Sequence, residues 1–75
     1  MLSLENTRIG QKVRVKKVIS NSSIKRRLLD IGLTPGTIIE RVLENFSGNL
    51  SAYMIRGALI AIRNEDASEI VVEAI

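Results

Sequence analysis

Lys16, Lys17, Lys25, Arg26 and Arg27 are the residues whose type and spacing could do chemistry in this chain, and that chemistry is the binding of an acidic partner. Catalysis is poorly provided for. The sequence holds no histidine and no cysteine, so the commonest general base and the strongest thiol nucleophile are missing, and no Gly-x-Ser-x-Gly positions a serine. A non-enzymatic role is therefore expected. Glu65, Asp66 and Glu69 are close in sequence and form a weak candidate metal set, because oxygen-only ligands hold borderline metals poorly compared with imidazole or thiolate. The same acids equally suit the start of a helical turn, where peptide dipoles favour negative charge. No cofactor is expected. Gly32-Leu33-Thr34-Pro35-Gly36-Thr37 superficially resembles a phosphate loop, but its glycine spacing is short and the lysine is absent.

These cations need elements to hold them. Ile24, Leu28 and Ile31 recur at i, i+4 and i+7, predicting a helix from Ser22 with one packing face and with Lys25, Arg26 and Arg27 around the remainder. Lys25 and Arg26 then sit in the first turns, where the helix dipole disfavours them, and Arg26–Asp30 at i, i+4 compensates only weakly. A basic face that local electrostatics does not ask for is a candidate docking surface. Gly32 is expected to end the helix in a left-handed conformation, with Leu33 reaching Leu28, and Pro35-Gly36 forbids continuation. Gly32, Pro35, Gly36 and Gly57 are thus read as structural turns.

The rest reads as strands. Lys12 to Lys16 alternates strictly with Val13 and Val15, the pattern breaks at Lys17, and Val18-Ile19 resume out of phase, which predicts a β-bulge near Lys16-Lys17. Further strands are expected over Thr37–Glu44, Leu50–Ile55, Ala58–Ile62 and Ile70–Glu73. Residues 45–49 form a polar loop and Arg56-Gly57 a tight hairpin turn. Asn64 to Ala67 reads as one helical turn capped by Asn64. About five strands with one short helix after the first predict a mainly β fold, a small partly open barrel, as a single domain over 1–75.

With 75 residues and no disulfides, stability should be about 4–11 kcal/mol. Charge is divided unevenly: residues 1–36 hold eight Lys/Arg against Glu5 and Asp30, and residues 37–75 hold three against six acids. Lys12, Arg14, Lys16 and Lys17 could follow a nucleic-acid backbone, yet Phe46 and Tyr53 are the only aromatics, and base stacking and polyproline grooves both need more. Nucleic acid is accordingly not the expected partner. No stretch reads as a signal peptide or bilayer span, so a cytoplasmic location without membrane insertion is expected. Oligomeric state is left open, although an open barrel has edges that could pair.

Leu28-Leu29-Asp30-Ile31-Gly32-Leu33-Thr34-Pro35-Gly36, with Arg56-Gly57, Ile60-Ala61-Ile62-Arg63, Ala67, Ile70 and Val72, resembles the FeoA family of small ferrous iron transport proteins from about Leu4 onward. The resemblance implies an SH3-like barrel and an accessory role in bacterial ferrous iron uptake. The implied partner is FeoB, a membrane transporter with a cytoplasmic GTP-binding domain. Family members are also described as transition-metal-binding domains, and a similar barrel forms the C-terminal domain of iron-dependent repressors, which keeps a regulatory or metal-binding module as the alternative. One loop departs from the family pattern: a Gly-Asp-Pro-like turn is common there, whereas this chain has Phe46-Ser47-Gly48-Asn49-Leu50.

Overall fold

The computed structural model describes residues 2–19, 23–43 and 49–75. Among these the chain runs β1 (Leu2–Ser3), a 3-10 turn (Leu4–Asn6), β2 (Lys12–Val18), α1 (Ser23–Asp30), β3 (Ile38–Leu43), β4 (Leu50–Ile55), β5 (Ala58–Arg63), α2 (Asn64–Ala67) and β6 (Ile70–Ala74). The expected helix start at Ser22, the side chain of Ile24 and the loop 45–48 lie outside the described residues. The strands form a single antiparallel sheet in the order β1-β6-β2-β3-β4-β5. Val13, Ile39, Tyr53, Ile62 and Val72, from five successive strands, meet in one core cluster, so the sheet curls around it into the expected partly open barrel, within extents of 27 × 27 × 25 Å. Six strands replace the expected five. The sixth is β1, whose two residues pair with Val72 and Val71 and are too few to show any alternation.

Alternation dictates β2. Val13, Val15 and Val18 are buried and Lys12, Arg14, Lys16 and Lys17 are exposed, with a register shift against β6 between Val15 and Lys17. The expected bulge is there, and it lets two consecutive lysines face water before Val18 returns to the core.

Helix α1 ends as its sequence requires. Gly32 N–H donates to Leu29 O at 3.1 Å and Leu33 N–H to Leu28 O at 3.0 Å, the paired bonds of a Schellman ending. Leu28 and Leu33 both enter the core, which also holds Val15, Ile39, Tyr53 and Ile70. Gly32 has φ of 110°, and a Cβ there would lie 3.3 Å from Arg56 Cδ and Ile55 Cγ2. Gly32→Ala is therefore expected to lower stability by about 1–2 kcal/mol, read as a fall in the urea midpoint with unchanged slope.

The other turns also form. In the Pro35-Gly36 turn, Gly36 N–H donates to Val15 O at 2.8 Å and Val15 N–H to Thr37 O at 2.9 Å, which ties the chain after α1 back to β2. Arg56 and Gly57 have φ of 51° and 83°, the positive pair that a two-residue hairpin between β4 and β5 needs. One expectation is corrected: Arg63, in extended conformation, takes the cap position of α2, and Asn64 is its first helical residue. The Asn64 side chain turns instead to the barrel, where its Oδ1 accepts from Ser51 Oγ at 3.2 Å.

Candidate functional site

Lys16, Lys17, Lys25, Arg26 and Arg27 are all exposed. Among the described residues the ion pairs are Arg14–Glu73 at 3.2 Å and Arg63–Glu65 at 3.5 Å, and neither uses these five cations. Arg26 and Asp30 stay beyond ion-pair distance although they border one shallow depression with Lys25 and Leu29. Burial of Leu28 sets this orientation, because the cations must occupy what is left of the helix circumference. The structure also divides the set. Arg27 turns the other way, to a groove of about 240 Å³ that it borders with Leu28, Ile31, Arg63 and Asp66. Lys25 and Arg26 thus border one depression and Arg27 a different groove.

No acid stands in the first turn of α1, so Lys25 keeps its unfavourable place by the positive end of the helix. Among the described residues no three carboxylates converge, so Glu65, Asp66 and Glu69 do not assemble into a ligand set, and Glu65 faces Arg63. With neither histidine nor cysteine in the sequence, the donors present do not fit a zinc-like or ferrous site.

Arg41 is the polar residue that sequence reasoning missed. It is 7% exposed. Its Nη1 donates to Glu5 O at 3.1 Å and to Thr7 O, and its Nη2 to Ser51 Oγ at 2.8 Å. The guanidinium also lies 5.8 Å from the centre of the Tyr53 ring, within cation–π range. One side chain thereby fastens the 3-10 turn after β1 to β3 and β4. A signal existed: Arg41 shares strand parity with buried Ile39, which puts it on the inner face.

Tyr53 is fully buried, and its hydroxyl has no hydrogen-bond partner within bonding geometry, although Ser51 is near. Burial pushes its pKa up, opposed by the Arg41 cation and the Ser51 hydroxyl and aided by Glu5. Folding thus favours the protonated phenol. That stability is fully present below the ordinary value of about 10 and is lost as pH rises through the higher folded-state value. Tyr53 is the only tyrosine and there is no tryptophan, so phenolate absorbance reads this group alone. Its titration is expected to lie above that of the urea-unfolded chain. Tyr53→Phe should flatten the alkaline loss of stability and leave neutral-pH stability unchanged or raised, since the hydroxyl it removes is buried without a partner.

The family model described as FeoA domain matches residues 2–74. No curated protein matches the chain. The solved FeoA-like protein of Clostridium acetobutylicum is 28% identical with a TM-score of 0.89, over 99% of this chain and 86% of its own. The zinc-complexed FeoA of Stenotrophomonas maltophilia, described as a prokaryotic SH3 domain protein, is 22% identical with a TM-score of 0.86, over 97% of this chain and 91% of its own. IdeR of T. acidophilum is 19% identical with a TM-score of 0.84, over 99% of this chain but 34% of its own. The last two likenesses are of fold, and that fold is the SH3-like barrel expected from the sequence. Among the described residues, no helix is long and apolar enough to cross a membrane.

Proposed function

The chain belongs to the FeoA family, and we propose that it acts in ferrous iron uptake as a non-enzymatic accessory module docking on the cytosolic side of a FeoB-type transporter. The observation that carries this reading is the exposure of Lys25 and Arg26 on α1 and of Lys16 and Lys17 at the end of β2, all four without acidic partners among the described residues. Such cations suit an acidic patch on a protein partner, for which charge complementarity sets orientation and speeds encounter. The description of the S. maltophilia relative as a candidate ferrous iron transport activating factor supports the same direction. Arg27 contributes less, since it faces the groove beside β5.

Reversing the charge of Lys16, Lys17, Lys25 and Arg26 and measuring co-purification with the intact transporter tests the proposal. Undiminished co-purification of the folded variant would sink it. A second reading, a regulatory module, rests on the barrel shared with IdeR. It requires binding to a DNA duplex or a repressor, and a flat duplex titration at low salt removes the first of these.

A further inference from the structure

We propose that the turn after α1 and the tip of the β4–β5 hairpin together form a binding site for a phosphate group, held by the Arg56 guanidinium and the Thr37 hydroxyl. The two segments border an open hollow of about 480 Å³, walled by Pro35, Gly36, Thr37, Ile38 and Arg56, with no acid among them. None of these residues belongs to the cations assigned above to the transporter, and none borders the depression at Lys25 and Arg26. The two proposals therefore stand or fall separately.

Arg56 is held in place rather than left to swing. Its backbone is left-handed, with φ of 51°, a conformation that asparagine or glycine takes more easily, so the turn itself does not ask for arginine. The side chain folds back over the end of α1: a Cβ on Gly32 would lie 3.3 Å from Arg56 Cδ and 3.4 Å from its Nε. Nη2 then donates to Thr34 Oγ1 at 3.2 Å. Among the described residues Arg56 has no ion pair, so the fork is fixed along one edge and keeps its charge and its remaining donors for the hollow that it borders.

The hydroxyls add to this. Thr34 Oγ1 and Thr37 Oγ1 lie 3.1 Å apart, and the hydrogen between them could come from either. Because Thr34 already accepts from a cation, it is polarised to pass its own hydrogen to Thr37, which frees the Thr37 hydrogen for the hollow. Positive charge and converging donors are the complement of an oxyanion. The fork alone can fill both oxygens of a carboxylate, whereas the hydroxyl provides for a third oxygen, which phosphate has. The backbone takes no part, since Gly36 N–H is engaged by Val15 O at 2.8 Å and Thr37 N–H by Thr34 O at 3.1 Å. This is a side-chain site and not a phosphate loop.

Titrating the isotope-labelled full chain with inorganic phosphate at constant ionic strength, and following the amide chemical shifts, tests the proposal. Saturable shifts centred on Thr37, Ile38 and Arg56 are expected, with none from chloride. Arg56→Asn should weaken phosphate binding about tenfold or more while the urea midpoint stays level or rises, because asparagine suits the turn and removes only the cation. A residue kept merely for the turn would not give that pair of results. Thr37→Val should weaken binding about fivefold, the value of one hydrogen bond. Phenyl phosphate separates the sources of the group: tighter binding than inorganic phosphate, through Pro35 and the 42% exposed Ile38, assigns the site to a phosphate ester, and equal binding assigns it to the free ion. Phosphate bound no better than acetate, shifts scattered over Lys16, Lys17, Lys25 and Arg26, or an Arg56→Asn variant that binds as wild type does overturns the proposal.

Discussion

Arg41→Met is expected to lower stability by about 3–5 kcal/mol, a large share of the roughly 4–11 kcal/mol a domain of this size holds. The guanidinium satisfies the carbonyls of Glu5 and Thr7 and the hydroxyl of Ser51, and Thr7 and Ser51 are themselves buried. Removing it takes the donor from the buried Thr7 carbonyl and leaves Ser51 with its bond to Asn64 alone, and each buried acceptor left unpaired costs about 1–3 kcal/mol. Methionine keeps most of the aliphatic stem, so the loss isolates hydrogen bonding from packing. Arg41→Lys should rescue little, because a single ammonium cannot span three acceptors that a planar fork reaches together. Urea unfolding followed by far-UV circular dichroism gives the number. A loss under about 1 kcal/mol would mean that water replaces the guanidinium and that the fastening role is wrong.

Charge reversal on the basic surface should move binding and folding in opposite directions. Lys16, Lys17, Lys25 and Arg26 changed together to glutamate are expected to weaken transporter binding by about 100-fold or more, since each attraction becomes a repulsion. Lys25→Glu and Arg26→Glu should at the same time raise helix stability by a few tenths of a kcal/mol each, because the first turns of α1 hold no acid and the dipole favours one there. A variant that binds less while melting no lower cannot owe the loss to unfolding. Rising salt should weaken the wild-type interaction and narrow the gap between the two proteins. Arg27→Glu alone should have the smaller effect, because Arg27 borders a different groove, beside β5.

Local chemistry made several features readable before any coordinates. The bulge at Lys16-Lys17 followed from a break in parity, and the end of α1 from Gly32 and Leu33. The β4–β5 hairpin followed from Arg56-Gly57. Each is decided by steric and hydrogen-bond preferences within a few residues. The cap of α2 was misread because Asn64 had a stronger competing use in Ser51, which is distant in sequence.

Residue order by itself determined which segments would be strands, where the helix would stop and that the cations would be drawn out of an aliphatic core, because period, turn geometry and desolvation act on neighbours. Only the assembled barrel decided that Arg41 lies inside and that Leu2–Ser3 forms a sixth strand. It alone parted Arg27 from Lys25 and Arg26 and left β5 at the rim. Those outcomes depend on which segments meet across long stretches of chain, and a buried cation is tolerable only where carbonyls from another segment arrive to receive it.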